Sequence, residues 1–329
     1  MDLAERFLAQ PALDDLVPRA ARVLVAVSGG GDSIALLHLL ASAAPGKGWT
    51  VEAVCVDHRT RPGTADEARF VAEVCAGLGV PFHAVALPGE SAASSEDALR
   101  RARREALAAA ARARGASRVA LGHQADDVIE TMAMRLLRGA GLDGLGGIPP
   151  RTGGFVRPLL PFRRAELRRW LETRGLAWVE DPTNEDVRKL RARVRHLVLP
   201  ALRRFSPAID EGLLAAAGAI QRARELLEVW DAGWLADRAV TTADGLELPR
   251  AALREEPPVS RGRLIRRAAE RLGLARRRLG RACLEEVLGV LERGAPGAAA
   301  PLPCGLEAAC EGDVLRLRRK GLARERDGV

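Results

Sequence analysis

The segment Ser28-Gly29-Gly30-Gly31-Asp32-Ser33 concentrates what polyphosphate chemistry needs. Consecutive glycines let a backbone approach a ligand closely and adopt positive φ. N–H groups at the start of a following helix attract anions. The hydroxyls of Ser28 and Ser33 suit phosphate oxygens, and Asp32 beside them is a candidate Mg2+ ligand. The segment is no Walker A loop, because it lacks Gly-Lys-Ser/Thr. It does not fit a dinucleotide fingerprint either, since Ile34 stands at the third glycine position. A tight strand–helix turn without a ligand is the competing reading.

A second group lies near residue 127. Asp127 and Glu130 are three apart, so on a helix both carboxylates share one face and suit an ammonium group. The alternative is a solvated face paired with Arg135 or Arg138. His123 precedes them, and a lone histidine is more often structural than functional. Arg191 and Arg195 are four apart and would meet one phosphate or carboxylate together, unless both are simply solvated.

Alternating strands and helices must position these groups. Residues 22–27 form an apolar run that ends at the glycines and reads as a buried strand. A helix follows over 34–40, then strands at 51–56, 81–87 and 118–121. Helices are expected at 65–78, 95–113 and 125–138, with Ser94 or Ser95 capping the second of these. Such alternation predicts an α/β fold with a doubly wound parallel sheet, whose ligands sit beyond the carboxyl ends of the strands. Residues 139–154, rich in glycine and proline, read as a loop, and a helix follows over 163–174. Ser206-Pro207 marks the expected boundary between a catalytic domain, 1–206, and a smaller, mostly helical accessory domain, 207–329. The latter reads as helices at 208–236, 260–273 and 279–293, ending in a hairpin over 305–318.

The 329 residues suit two domains, and 47% apolar with 29% charged residues is ordinary globular usage. No run approaches the ~18 apolar residues of a membrane span. The start of the chain lacks the pattern of a secretory signal, so a cytoplasmic location is expected. Five cysteines without a C-x-x-C pair argue against disulfides or zinc, and they read as buried thiols. The net charge of +8 is unevenly spread. Residues 1–99 carry 7 basic and 13 acidic side chains, and residues 100–206 carry 23 and 11. A basic middle points to a polyanion partner. Because 48 of the 51 basic residues are arginine, coding bias competes with that reading.

Further residues join the glycine segment. In order, they are Asp57-His58-Arg59-Thr60-Arg61, Ser95-Glu96-Asp97-Ala98 with Arg101 and Arg104, and Gly122-His123-Gln124-Ala125-Asp126-Asp127-Val128-Ile129-Glu130-Thr131. Then come Arg138-Gly139-Ala140-Gly141-Leu142, Arg157-Pro158-Leu159-Leu160 and Asp181-Pro182-Thr183-Asn184, with Arg191 and Arg195 last. The first segment resembles the PP-loop of ATP pyrophosphatases, which cleave ATP between the α- and β-phosphates. The whole series, over residues 20–205, resembles tRNA(Ile)-lysidine synthetase. That resemblance implies ATP and Mg2+ as cofactors, with free L-lysine and an isoleucine tRNA bearing a CAU anticodon as substrates. ATP would adenylate the wobble cytidine, and the lysine ε-amine would then expel AMP. It makes Asp32, Asp127, Glu130 and Arg191 the catalytic candidates and residues 28–33 the nucleotide loop. Asp127, Glu130, His123, Arg191 and Arg195 become candidates for holding lysine or RNA. Where the family often reads Y-x-R-N-x-x-R, this chain has Lys189 and Ala192 at the Tyr and Asn positions.

Two rival functions remain at this stage. A PP-loop tRNA thiolase needs paired cysteines or an iron–sulfur cluster, which this spacing does not offer. A nucleotide-sensing or RNA-binding module with a dead site would not need Asp32, Asp127 and Glu130 together. No membrane partner is expected. A homodimer stays open, because nothing in the sequence reports oligomeric state.

Overall fold

The computed structural model describes residues 1–57, 64–87, 96–180, 188–274, 278–295 and 297–320. His58-Arg59-Thr60-Arg61, the caps Ser94 and Ser95, and Asp181-Pro182-Thr183-Asn184 lie outside them. The chain forms two compact units, Met1–Gln221 and Arg222–Val329.

In the first unit, α1 (Leu3–Leu8) and α2 (Leu13–Leu16) precede β1 (Arg22–Ala26), and α3 (Gly31–Lys47) and β2 (Thr50–Asp57) follow. Next come α4 (Thr64–Gly77), β3 (Phe82–Ala86), α5 (Glu96–Ala113), β4 (Arg118–Leu121), α6 (Ala125–Leu137) and α7 (Leu142–Leu145). The unit continues with β5 (Arg151–Thr152), β6 (Phe155–Val156), α8 (Arg164–Glu172), α9 (Leu190–Arg193), a π-helical turn (Val194–Val198) and α10 (Leu199–Phe205). The sheet order is β3-β2-β1-β4-β6-β5, parallel except for β5 at the edge. Alternation along β1 explains the two layers. Val23 and Val25 face a core with Ile34, Leu37 and Leu167, while Leu24 and Ala26 face Leu107, Ala110 and Ala111 of α5. Burial on both faces makes β1 read as a continuous apolar run.

Most expected elements are present, with α3 running on to Lys47. The segment at 139–154 is not all loop. It contains α7 and a hairpin that extends the sheet through β6. Strands of two residues are too short to leave a periodic signal.

The division between units falls within α11 (Ile209–Arg238), not at Ser206-Pro207. Leu213 and Ala217 pack with Val128, Ile129 and Met132 of α6, which ties the first half of α11 to the first unit. Gln221 Nε2 donates to the carbonyls of Gly146 at 2.6 Å and Ile148 at 2.9 Å.

The second unit contains β7 (Val240–Thr241), β8 (Gly245–Pro249), α12 (Arg250–Glu255), α13 (Pro258–Arg271), α14 (Arg281–Arg293), β9 (Ala299–Leu302), β10 (Leu306–Glu311) and β11 (Val314–Arg319). The expected hairpin, β10–β11, is the centre of an antiparallel sheet ordered β7-β8-β11-β10-β9. Its face packs Leu246, Leu248, Leu315 and Leu317 against Leu264, Ile265, Val287 and Leu291. The sequence hides β9, Ala299-Ala300-Pro301-Leu302, because proline there reads as loop; the edge position tolerates it. Of the cysteines, Cys55, Cys75 and Cys310 are buried as expected, Cys283 is half-buried and Cys304 is exposed; all are free thiols. No helix among the described residues is long and apolar enough to cross a membrane.

Candidate active site

The glycine segment leaves β1 at the carboxyl edge and enters α3. Gly29 takes φ +83°, a left-handed turn that glycine adopts without strain, and its carbonyl accepts from Val179 N–H at 2.9 Å. Ser33 Oγ donates to Gly30 O at 2.8 Å and accepts from Ser28 N–H at 3.1 Å, so the serines brace the loop from within. The first turn of α3 carries Asp32. At the end of β4, Gly122 presses against the same turn. A Cβ there would lie 3.2 Å from the carbonyl of Asp32 and from Ser33 Cα. Both obstacles are backbone, so Gly122→Ala should displace the loop and cost about 1–3 kcal/mol of stability. The midpoint of thermal unfolding should fall accordingly, and a variant that melts as wild type does would show that this approach is not needed.

Helix α6 starts three residues later with a capping box. Gln124 accepts from Asp126 N–H at 2.5 Å, and Asp127 Oδ2 accepts from Gln124 N–H at 3.1 Å. Asp126 pins α8 to this start. It accepts from Arg163 Nη2 and from the backbone N–H of Arg164, both at 2.8 Å. The anchoring delivers the Arg164 guanidinium among three carboxylates: Asp127 Oδ1 at 3.4 Å, Glu130 Oε1 at 3.5 Å and Asp32 Oδ2 at 3.7 Å. None of these is a tight hydrogen bond. Arg164 thus brings Asp32 and Asp127 to one locus, and sequence spacing offered no signal for it.

Glu130 has a different environment from the one its spacing suggests. Its side chain is 2% exposed, and Arg195 grips it in bidentate fashion at 2.7 and 3.1 Å. Arg191 Nε lies 3.1 Å from Glu130 Oε2, an oxygen it shares with Arg195, and Arg191 Nη2 donates to Thr131 Oγ1 at 3.0 Å. The arginine pair therefore meets a carboxylate, as the four-residue spacing allows, and that carboxylate is Glu130. Guanidinium groups thus meet both oxygens of Glu130, the carboxylate that the sequence offered to a lysine ammonium. Asp127 keeps one oxygen in the capping box and the other toward Arg164. A cavity of about 260 Å³ beside Glu130 is lined by Asp126, Arg164, Arg168, Arg195 and Arg203, with positive charge in excess.

Burial pushes the Asp32 carboxyl up to about 6, opposed by Arg164 and reinforced by Asp127. A divalent cation would relieve that penalty. One carboxylate beside a glycine loop that opens a helix fits Mg2+, which prefers one or two carboxylates plus substrate phosphates to a full protein cage. No cluster of three metal-ligating side chains occurs among the described residues.

His123 faces another environment. Burial, with Arg157, Arg191, Arg100 and Arg103 around it, pushes the imidazole down to about 3, so it is neutral at physiological pH. Its Nδ1 is buried without a hydrogen-bond partner. Arg157 itself is buried and pushed down to about 10. Of the two departures from the family pattern, Lys189 precedes α9 as its N-cap residue and Ala192 is buried.

Residues 4–202 match the family model of the PP-loop domain. Over 324 residues the chain is 31% identical to the tRNA(Ile)-lysidine synthase of Chlorobaculum tepidum, covering 96% of this chain and 97% of the relative. The chain belongs to the tRNA(Ile)-lysidine synthase family. Relatives named tRNA(Ile)-lysidine synthase in Ruegeria pomeroyi and Polaromonas naphthalenivorans are 42% and 43% identical over 250 and 209 residues. These matches cover 74% and 62% of this chain and 56% and 63% of those relatives, so the chain spans less than two thirds of the length of either. Among solved structures, a U34-tRNA thiolase from Methanococcus maripaludis superposes with a TM-score of 0.56 over 68% of this chain and 78% of its own. At 18% identity that likeness concerns the PP-loop fold alone.

Proposed function

We propose that this family member joins free L-lysine to the wobble cytidine of a CAU-anticodon isoleucine tRNA, using ATP. The observation that carries the reading is the meeting of two carboxylates, Asp32 of the PP-loop and Asp127 of α6, at Arg164. A polyphosphate site thereby adjoins a cation site. In the first half-reaction, cytidine O2 attacks the α-phosphorus of ATP and pyrophosphate leaves. Asp32 would hold Mg2+, which neutralises charge on the departing pyrophosphate. In the second, the lysine ε-amine attacks C2, AMP leaves, and the amine proton passes to Asp127 as general base. Glu130 positions: it fixes Arg191 and Arg195, and the arginine-rich cavity beside it suits the α-carboxylate of a free amino acid.

The test supplies ATP, labelled lysine and a CAU isoleucine transcript, with a UAU transcript as control. RNA-bound lysine on the CAU transcript alone, with AMP and pyrophosphate formed in equal amounts, is the expected result. ATP cleavage without RNA-bound lysine would overturn the reading.

A further inference from the structure

The helical run over residues 190–205 has two unlike sides. Inward, Ala192, Val194 and Leu199 are buried, and Arg191 and Arg195 reach Glu130. Outward, at helical spacing, stand Arg193, His196, Leu197, Arg204 and Phe205, all exposed. Phe205 is 89% exposed, whereas the other five phenylalanines are buried or half-buried. A single exposed apolar side chain is ordinary. The surroundings of this one are not: residues 188–209 contain seven Lys or Arg and no Asp or Glu. Arg203 is drawn off to Asp210 at 3.0 Å, but no ion pair among the described residues occupies Arg193 or Arg204.

A planar ring on the same outward side as Arg193 and Arg204 matches one chemistry well. Single-stranded nucleic acid presents phosphates to the cations and unstacked bases to the ring. We propose that Phe205 is a stacking platform for an unpaired base of the substrate RNA, with Arg204 on a phosphate beside that base and Arg193, about 18 Å back along the run, on a phosphate further along the strand. The proposal rests on the reading of the substrate as tRNA. Phe205 lies ten residues beyond Arg195, about 15 Å along the helical run. The stacked base is therefore a neighbour of the modified cytidine in the anticodon loop and not that cytidine itself. In this role Phe205 sets affinity and register and takes no part in chemistry.

Phe205→Ala should raise the KM for tRNA about 5- to 150-fold, the range for loss of one stacked base. The KM for lysine and the midpoint of thermal unfolding should stay as in wild type. Phe205→Trp should restore the affinity. With 2-aminopurine placed in turn at each anticodon-loop position, wild type should quench one position other than the wobble position, and Phe205→Ala should abolish that quenching. Arg204→Ala should reduce the slope of log affinity against log salt by about 0.7. Wild-type KM and quenching in Phe205→Ala, with lysine incorporation intact, would overturn this proposal alone. A variant that changes only the oligomeric state would overturn it too, assigning the face to a second copy of the chain. Failure of wild type to join lysine to any tRNA would remove the tRNA reading and this inference with it.

Discussion

Glu130→Gln should unfold the catalytic unit at about 3–5 kcal/mol less free energy than wild type, the usual effect of removing one partner of a buried ion pair. The substitution keeps shape and hydrogen-bonding reach but removes the charge. Arg195 at 2.7 Å, Arg191 at 3.1 Å and Arg164 at 3.5 Å would then crowd a neutral amide. Three guanidinium groups would lose their common counter-charge, two of them on the run that follows residue 189. Both half-reactions should slow, because α6 and α9 lose the pair that joins them. Had Glu130 served only the lysine ammonium, its replacement would raise the KM for lysine ~100-fold and spare adenylation. Urea denaturation separates the two: a variant as stable as wild type contradicts the positioning role. Adding Arg191→Met should recover part of the loss, since neighbours in one network are not additive.

Asp32→Asn should do the opposite to stability while abolishing activity. The Asp32 carboxyl is pushed up to about 6 by burial. Between pH ~4 and ~6 the folded chain keeps a proton that the unfolded chain has lost, so ionisation of Asp32 makes wild type progressively less stable as pH rises. Above ~6 the penalty is constant at about 3 kcal/mol, from a shift of roughly two units. Asparagine carries no such penalty. Ligand-free Asp32→Asn should therefore melt several degrees above wild type at pH 8, with the gap closing towards pH 4. Pyrophosphate release should fall at least ~100-fold with loss of the metal ligand. A variant that melts below wild type at pH 8 would mean that Asp32 is retained for structure.

These outcomes depend on features of unequal visibility in the sequence. The PP-loop is legible because strand, glycines and helix are contiguous, and β1 shows its double burial as an unbroken apolar run. Asp127 with Glu130, and Arg191 with Arg195, are legible as pairs because helical spacing is local. Their mutual pairing is not, since Glu130 and Arg195 meet only through the tertiary fold. Arg164 is invisible for the same reason. It reaches Asp32 because Asp126, the less noticed half of an Asp-Asp doublet, binds the backbone of α8. In the second unit, β8 and β9 are too short and too rich in glycine, alanine and proline to announce strands. The break at Ser206-Pro207 looked like a domain boundary because proline and serine interrupt helices, whereas the packing of Leu213 and Ala217 carries the catalytic unit further.

The central claim is that Asp32 serves ATP and Asp127 serves lysine, side by side at Arg164. Single-turnover reactions of Asp127→Asn with α-labelled ATP and CAU transcript test it most directly. Asparagine retains an oxygen for the capping box but cannot take the amine proton. The account predicts that pyrophosphate is released, that AMP-linked RNA accumulates, and that its consumption by added lysine slows at least ~100-fold. Loss of adenylation in this variant, with lysine still bound as in wild type, would contradict the account and place Asp127 in the nucleotide site.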